Sequence, residues 1–598
     1  MPREDTDLIF VHETTRNAIV GTKNLLTWMG QNPAKSRVLL AVTRDPLHAD
    51  SILAQIAGVR LDRVELVAIL HASNLRKVSA NKHDLPMLST VSPERAAADL
   101  ARELAGHGAL VRTFRPLSYC LVVLSPSALA ICKNMGQSKD DQKTRWDVSI
   151  VYHDQDLYSP TDDAGDKVGH TLLIAISIAE NLAAGRGPSE APANKLNELL
   201  VEGAKLGVHR CRWYREQGVP EVPQGLTGNA VAEYWCRDLV RDRRLEPDQR
   251  ARIHEIQIET DANWNLFRTC CLNARLHNET EPLTRAAQTI VLKGVQRSQQ
   301  VYGFPVAHFG KWTGVDRDEV EGYQTLVRLM RKYVSSLGWG RPLSLAAFGP
   351  PGSGKSFGIK QVASNLPVKE LEFNLGQFTV ASDLANALFK VRDAALGGMV
   401  PLVMFDEFDA TFEGRPHGWL KYLLAPTQDG KFRGGDSDFN IGRAIFVFVG
   451  GVSHTFDDLV GQMRGRAFIE AKGPDFVSRL RGHVNVRGPD KLGDKDDFHL
   501  IRRAVLLRSC LERQFDAKPD QEIDIDPGVL AAFLKTREYR HGVRSIEAIV
   551  DMSNFSDPRN QFTKSSLPPI DQLDMHTDAL EFLQIVLEER GESDSPRA

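Results

Sequence analysis

One stretch decides the fold of this chain: Gly349-Pro350-Pro351-Gly352-Ser353-Gly354-Lys355-Ser356. An apolar run, Leu343 to Phe348, leads into it, and the residues from Phe357 to Asn365 have the pattern of a helix. Strand, loop and helix are the setting in which the spacing G-x-x-x-x-G-K-S binds phosphate groups. The glycines let the backbone fold around an anion, which the N–H groups and the positive end of the helix then face. A glycine-rich turn that happens to contain a lysine is the alternative, and it leaves the full spacing unexplained.

The loop also supplies two polar side chains with separate roles. We expect Lys355 to place a positive charge near the outer phosphates of a nucleotide, and the Ser356 hydroxyl to ligate Mg²⁺. The residues predicted to surround the nucleotide are Gly349, Pro350, Pro351, Gly352, Ser353, Gly354, Lys355, Ser356 and Phe357.

A pair of carboxylates follows a second buried-strand pattern further along the chain. The apolar run that begins at Pro401 ends in Asp406 and Glu407. Carboxylates are costly beside a core unless they meet a cation or a proton. Asp406 can hold Mg²⁺ through water, and Glu407 can orient and deprotonate an attacking water. An exposed acidic turn is the alternative, but beside a phosphate loop the pair favours an ATPase over a kinase or a GTPase.

At this point the chain resembles the AAA+ ATPases, over most of residues 305 to 555, and its motifs are most similar to those of the Clp-type unfoldases. Four further segments carry the resemblance: Thr313 to Glu319 as the segment beside the adenine pocket, Ala444 to Val449 as the sensor 1 strand, Gly473 to Arg481 as the arginine-finger segment, and Gly542 to Arg544 as the sensor 2 motif. The resemblance implies ATP and Mg²⁺ as cofactors and a helical lid beside the nucleotide.

The resemblance also implies roles for particular arginines. Arg479 is expected to reach the ATP of a neighbouring subunit, because a guanidinium is planar and permanently charged. Arg481 is the second candidate, and an ordinary surface arginine is the alternative. Arg544 is expected to lie in the lid above the nucleotide of its own subunit, or else to be a helix-start arginine with no partner. The predicted catalytic set is Lys355, Glu407, Arg479 and Arg544. A finger between subunits implies a homo-oligomeric ring, for which the family expectation is six subunits.

The sequence departs from the family at two places. Sensor 1 normally carries Asn, Ser or Thr at the end of its strand, whereas this chain has Gly450 and Gly451, so that only Ser453 or Thr455 offers a nearby hydroxyl. Unfoldases also carry an aromatic-glycine pore loop, for which Phe378 is the candidate here.

The first 190 residues alternate apolar runs with amphipathic stretches, which predicts an α/β domain. Predicted strands are 37–43, 64–71, 109–114, 120–124 and 147–152, and predicted helices are 94–105 and 168–182. The stretch Gly185 to Asn194 combines glycine, proline and small polar residues, as a linker does. We therefore predict a domain limit there.

A second resemblance lies just before that limit. The segment Asp162 to Thr171 is similar to the Gly-Ala-Gly-Asp anion hole of ribokinase-like sugar kinases, in which Asp166 would be the base. Asp163 replaces one glycine of that motif, and its charge would repel a phosphate. The resemblance implies a degenerate kinase fold that senses a ligand or binds a partner, and a polar turn before a core helix is the alternative.

Residues 194 to 300 show helical spacing and no β pattern, which predicts a helical connector. Two basic stretches occur in it, the cluster Arg210, Arg212, Trp213, Tyr214 and Arg215 and the arginine-rich run 237–252. Such stretches can contact nucleic acid through phosphates and stacking, but they are more often a solvated face.

Composition limits the class of protein. The chain has 598 residues, 42% hydrophobic and 25% charged, with 74 Lys+Arg against 77 Asp+Glu, so it carries no overall basic field toward nucleic acid. Residues 1–10 are charged and the longest apolar stretch, 171–184, is too short for a bilayer, which predicts a cytoplasmic protein without a membrane span. Seven cysteines without C-x-x-C spacing are predicted to be reduced thiols.

The predicted layout has five parts: 1–190, an α/β domain; 194–300, a helical connector; 305–490, the nucleotide-binding α/β domain; 491–590, a helical lid; and 591–598, a disordered tail. Two functions fit this layout. The first is an ATPase that remodels a protein partner recruited through residues 1–300. The second is a nucleotide-controlled switch or scaffold with little turnover, which could also contact nucleic acid.

Overall fold

The computed structural model describes residues 8–12, 37–42, 64–75, 92–106, 111, 114–137, 144–158, 170–184, 193–217, 247–260, 264–274, 281–336, 340–493, 496–555 and 561–588. The chain divides into two compact units, of which the first comprises residues 1–274 with 302–306 and the second comprises 275–301 with 307–598. The predicted limit at 185–194 falls inside the first unit, and the predicted connector is shared between the two.

The first unit is a mixed α/β structure. Its strands are β1 Leu8–His12, β2 Arg37–Val42, β3 Val64–His71, β4 Tyr119–Ser125, β5 Ala128–Gln137, β6 Thr144–His153 and β7 Ile253–Gln257. Its helices are α1 Ala72–Leu75, α2 Pro93–Ala105, α3 His170–Ala184, α4 Ala193–Gln217, α5 Pro247–Arg250 and α6 Leu266–Asn273.

These strands form one sheet in the order β1-β2-β3-β4-β5-β6-β7. The pairs from β1 to β4 are parallel and those from β4 to β7 are antiparallel. Four predicted strands correspond to β2, β3, β4 and β6. The strand predicted at 109–114 is wrong where it is described, because Val111 and Phe114 are helical. The prediction of no β structure between residues 194 and 300 is also wrong, because β7 completes this sheet.

Two helices that flank the predicted linker pack tightly on each other. A Cβ on Gly203 would lie 2.7 Å from the Ile178 Cα, and one on Gly207 would lie 2.9 Å from the Ile174 Cα. Glycine at both positions therefore lets α4 approach α3 closely. Both helices contribute to the core of the first unit, so α4 is part of the α/β unit rather than of a separate connector.

The second unit begins with helices and continues as an α/β structure. Its helices are α7 Pro282–Lys293, α8 Val295–Tyr302, α9 Arg317–Ser335, α10 Lys355–Ala363, α11 Ala381–Leu396, α12 Leu420–Gln428, α13 Phe456–Gly461, α14 Arg466–Glu470, α15 Gly473–Val477, α16 His499–Phe515, α17 Pro527–Lys535, α18 Val543–Met552, α19 Ile570–Leu573 and α20 Ala579–Glu588. Its strands are β8 Ala307–Phe309, β9 Trp312–Gly314, β10 Leu343–Phe348, β11 Val368–Asn374, β12 Val400–Asp406, β13 Lys431–Gly434, β14 Ser437–Asn440, β15 Ile445–Val449 and β16 Gly482–Asn485.

Five strands of this unit form a parallel sheet in the order β11-β12-β15-β10-β16. The three central strands are buried, and every residue of β10 is buried. Parallel strands end at the same edge, so the loops after β10, β12 and β15 lie side by side. Ligands of open α/β sheets bind at this carboxyl edge. Helices α16 to α20 occupy the span predicted as a lid.

Buried arginines organise the helices that follow the sheet. Arg508 of α16 donates to the carbonyl oxygens of Val291, at 3.0 Å, and Gln521, at 2.7 Å. A Cβ on Gly294, after α7, would lie 2.1 Å from the Pro519 carbonyl oxygen. Helix α7 is therefore tied to α16, although the sequence prediction assigned it to the connector.

Several predictions fall on residues that the structure does not describe: the ribokinase-like segment up to residue 169, the linker 185–192, parts of the helical connector, most of the arginine-rich run and the tail 591–598. The six cysteines in the described part are buried free thiols, as predicted. None of the described helices combines the length and the apolar character that a bilayer crossing requires.

Candidate functional site

The phosphate loop lies between β10 and α10, as the sequence predicts. Gly352 and Gly354 have φ angles of 72° and 87°, in the left-handed region that favours glycine. A Cβ on Gly352 would also lie 2.1 Å from the carbonyl oxygen of His541. Glycine is therefore required at 352 by both conformation and space.

Lys355 turns back onto its own loop. Its Nζ donates to the carbonyl oxygens of Gly349, at 2.8 Å, and Pro350, at 3.0 Å. Burial lowers the pKa of Lys355, whereas the nearby carboxylates of Asp409 and Asp406 act in the opposite direction. The ammonium group therefore stands at the loop mouth, held by carbonyl oxygens that phosphate oxygens can replace.

Ser356 and Asp406 meet at the start of α10 and the end of β12. The Ser356 Oγ lies 3.3 Å from the Asp406 Oδ1. Burial raises the pKa of Asp406 to about 6, with a further contribution from the neighbouring carboxyl of Glu372. The carboxyl groups of Asp406 and Glu372 and the Ser356 hydroxyl provide oxygen atoms, which are the ligands that a hard cation such as Mg²⁺ prefers. No cluster of three or more His, Cys, Asp or Glu ligands for a metal occurs in the described residues.

Glu407 lies between two glycines from neighbouring loops. A Cβ on Gly376 would lie 2.0 Å from the Glu407 Oε2, and one on Gly451 would lie 3.2 Å from the Glu407 Cγ. Glu407 itself has a φ of 55°, an uncommon conformation for a residue with a side chain. The side chain is exposed, so this carboxylate can meet water.

Asp409 is a residue of this site that the sequence reasoning missed. Its carboxylate accepts hydrogen bonds from the backbone N–H groups of Gly451, at 2.8 Å, Val452, at 3.0 Å, and Ser453, at 2.9 Å. The side chain is buried, with 2% exposure. Asp409 thereby fixes the loop after β15 against Glu407. The sequence contained a signal for this residue, because an apolar residue followed by an acidic one occurs a second time directly after Asp406 and Glu407.

The two hydroxyls considered for sensor 1 are engaged or enclosed. The Thr455 Oγ1 accepts from the Asp458 N–H at 3.0 Å and caps α13. Ser453 is 1% exposed, and its hydroxyl has no hydrogen-bond partner among the described residues. The glycine at 451 instead occupies the place beside Glu407.

The predicted sensor 2 motif touches the phosphate loop directly. The Val543 N–H donates to the Gly352 carbonyl oxygen at 3.0 Å. Gly542 has a φ of 59°, and a Cβ there would lie 3.0 Å from the same oxygen. The positive charge of Arg544 contributes to lowering the pKa of Lys355, which brings that guanidinium into the same site.

Arg479 and Arg481 lie at the opposite edge of the sheet. The Arg481 N–H donates to the Ser344 carbonyl oxygen at 2.9 Å, at the start of β10. The phosphate loop begins where β10 ends, and six residues of strand span about 20 Å. The guanidinium of Arg479 binds the Gln428 Oε1 and the Asp475 carbonyl oxygen. Neither arginine belongs to the nucleotide site of its own chain.

The segment predicted beside the adenine pocket is held by ion pairs. Asp316 caps α9 and pairs with Arg487 at 2.6 Å. Arg502 of α16 lies 3.7 Å from the same carboxylate. Phe357, at the first turn of α10, is 48% exposed and available to a ligand.

Comparison with known protein families finds a match in part of the second unit. The family described as AAA, ATPase family associated with various cellular activities, matches residues 345–433. This stretch matches the AAA ATPases. It contains the phosphate loop, Asp406, Glu407 and Asp409. No curated protein matches the chain.

Two solved structures of NtrX from Brucella abortus are similar at low identity. The structure with ATP has a TM-score of 0.30 and 12% identity, covering 50% of this chain and 62% of that one. The structure with ADP has a TM-score of 0.28 and 10% identity, covering 98% of this chain and 92% of that one. The present chain thus spans less than two thirds of the first of these proteins, and likeness at this level carries no argument about function.

The basic cluster that begins at Arg210, on α4 of the first unit, forms ion pairs within the protein. Arg210 is buried and pairs with Glu180 at 2.7 Å. Arg212 and Arg215 both pair with Asp156, at 3.3 and 2.9 Å. The cluster is therefore largely neutralised by carboxylates, which disfavours the interpretation as a nucleic-acid surface.

The pore-loop candidate also has a structural role. Phe378 is half-buried, and its ring packs edge-to-face against the Trp419 ring, with 5.9 Å between the ring centroids. The exposed apolar residue of that loop is Val380, at 51%. Phe378 therefore packs on the core of the second unit instead of projecting from it.

Proposed function

We propose that this chain binds ATP with Mg²⁺ and hydrolyses it, and that the cycle drives remodelling of a partner macromolecule. The observation that carries the proposal is the meeting of Lys355, Ser356 and Asp406 at one edge of a parallel sheet, with the 3.3 Å contact between the last two. The AAA match supports it.

The residues of the site divide the chemistry among them. Lys355 exchanges its two carbonyl partners for phosphate oxygens, which its charge attracts more strongly. Ser356 and Asp406 would hold Mg²⁺, which neutralises developing phosphate charge when bound. The exposed carboxylate of Glu407 accepts the proton of the attacking water. Asp409 keeps the neighbouring loop fixed, so that Glu407 faces the reaction with little reorganisation.

The link from the site to motion would run through the lid. The hydrogen bond from Val543 to Gly352 joins α18 to the loop that receives the phosphates. A change in loop conformation on nucleotide binding must therefore move or release the start of α18. Arg479, too far from its own nucleotide, would act on a second copy, which makes a homo-oligomer part of the proposal. Residues 1–300 would recruit the partner.

One observation favours the second function, a nucleotide-controlled switch with little turnover. Gly451 stands where a sensor 1 side chain would position water. The Thr455 hydroxyl caps α13, and the Ser453 hydroxyl is buried away from solvent. In that function ATP binding alone would set the state of the lid.

Separate measurements of ATP affinity and turnover test the proposal. Lys355→Ala should lose ATP binding, whereas Glu407→Gln should bind ATP, turn it over at least tenfold more slowly and retain the partner during purification. Lys421→Ala, which removes a partly exposed lysine paired with Glu413, is the matched control. Undetectable turnover by the unaltered chain with and without added protein or DNA would favour the switch. Equal turnover in all three variants would contradict the assignment of the site.

A further inference from the structure

A polar cavity of about 280 Å³ lies at the edge of the second unit's sheet opposite the phosphate loop. The side chains that matter in its lining are Arg341, Gln428, Asp475, Ser478, Arg479 and Arg481. Most of them are exposed at the rim, so a solute can enter from solvent.

The cavity carries an excess of positive charge. Three arginines line it, against one acidic residue, Asp475. Arg341 and Arg481 make no side-chain hydrogen bond or ion pair with any residue that the structure describes. Arg479 binds only neutral oxygens, from Gln428 and the Asp475 backbone, and its buried Nε has no partner within the described residues. The charge of the cavity is thus largely uncompensated.

The backbone at two of these arginines is fixed in place. The hydroxyl of the buried Tyr333 donates to the Arg341 carbonyl oxygen at 2.9 Å. The Arg481 N–H donates to the Ser344 carbonyl oxygen at 2.9 Å. Arg341 and Arg481 therefore flank the first residues of β10 at positions set by the sheet, which reduces the ordering cost of binding an anion.

We propose that this cavity is a phosphate-binding site in which Arg341 acts together with Arg479 and Arg481. Guanidinium groups bind phosphate oxygens in pairs and remain charged at all relevant pH values. The phosphate can be free in solution or can be the terminal group of a nucleotide held by a second copy of this chain. In the second case the assignment rests on the proposed ATPase function. The length of β10 excludes the nucleotide of the same chain.

Binding of inorganic phosphate to the full-length Lys355→Ala chain tests the site without the phosphate loop lysine. Arg341→Gln in that background should weaken binding about tenfold, because a charged donor is lost. Asp475→Asn should strengthen it, because a repelling carboxylate is removed. Arg466→Gln, at an arginine that is 93% exposed outside the cavity, should change nothing. Weaker phosphate binding in Arg341→Gln together with stronger binding in Asp475→Asn would indicate a phosphate site, since a general loss of structure would weaken binding in both variants.

Measurements of ATP turnover test whether the phosphate belongs to a nucleotide held by a second copy of the chain. Arg341→Gln should bind ATP normally but hydrolyse it several-fold more slowly, and mixing it with Lys355→Ala chains should restore part of the rate. Restoration identifies the nucleotide of a second copy as the occupant. Phosphate binding that depends on Arg341, without restoration, identifies free phosphate. If Arg341→Gln alters neither phosphate binding nor turnover, the site is wrong, and Arg479→Ala then shows independently whether the proposed action between subunits stands.

Discussion

The backbone N–H of Val543 donates a 3.0 Å hydrogen bond to the carbonyl oxygen of Gly352. Gly352 belongs to the phosphate loop, and Val543 is the first residue of α18. The pair joins the predicted phosphate loop to the helix that carries Arg544. Gly542, with its positive φ, makes the close approach possible.

Removal of this one donor should loosen the lid. Val543→Pro deletes the N–H at the first position of a helix, where proline is tolerated. A hydrogen bond of about 1 kcal/mol corresponds to roughly a fivefold change in an opening equilibrium. Hydrogen exchange across residues 543–552 should therefore rise about fivefold without nucleotide, whereas Val543→Ala, which keeps the N–H, should not change it. Equal exchange in the two variants would contradict the proposed link.

Asp409 should affect turnover more than binding. Asp409→Asn removes the charge that three N–H groups bind, so the loop around Gly451 should lose its fixed position beside Glu407. We expect turnover to fall by about tenfold or more while ATP affinity changes by less than about threefold. Asp438→Asn, in the exposed hairpin β13–β14, is the control. A parallel loss of affinity would show that Asp409 acts on the phosphate loop instead.

Arg479 should act between subunits. Arg479→Ala should bind ATP nearly normally and hydrolyse it at least tenfold more slowly, because its guanidinium lies at the edge of the sheet away from Lys355. Mixing it with Lys355→Ala should restore activity that neither variant has alone. Wild-type turnover by Arg479→Ala would contradict this role, as would an inactive mixture in which sedimentation shows mixed oligomers.

The stable C-terminal fragment should begin before α7. A fragment starting at residue 281 keeps the bonds from Arg508 to Val291, whereas one starting at 307 leaves that buried guanidinium short of acceptors. The shorter fragment should be less stable by about 2 kcal/mol or more, measured by denaturant unfolding. Equal stability would mean that α7 contributes little to the second unit.

Glu319 should make stability depend on pH. Burial raises the pKa of this carboxyl from 4.5 to about 8. Its contribution is therefore fully present below about pH 4.5 and is lost as the pH rises through about 8, because ionisation favours the unfolded chain. Glu319→Gln should flatten this dependence and stabilise the protein at pH 8 to 9, by up to a few kcal/mol. Thermal unfolding of both proteins at pH 5 and pH 9 measures this pH dependence. If stability changes as much between the two pH values in Glu319→Gln as in the unaltered chain, the assignment is contradicted.

Local patterns in the sequence were sufficient to predict the conformation of the candidate nucleotide site. The spacing from Gly349 to Ser356 and the carboxylates after β12 specify their own conformations, because glycine flexibility and strand burial are properties of short segments. The predicted limits of β3 agree with the structure for the same reason.

Tertiary structure decided what depends on residues far apart in the chain. The sequence does not show that Asp409 binds the loop at 451–453, that α7 is tied to α16, or that the edge strand β7 completes the first sheet. Each depends on packing between distant segments. The arginines of α4 illustrate the same point, since only folding brings Asp156 to Arg212 and Arg215 and turns an apparent basic surface into ion pairs. A sequence records the charge of each residue, whereas the fold decides which charges remain free to bind a ligand.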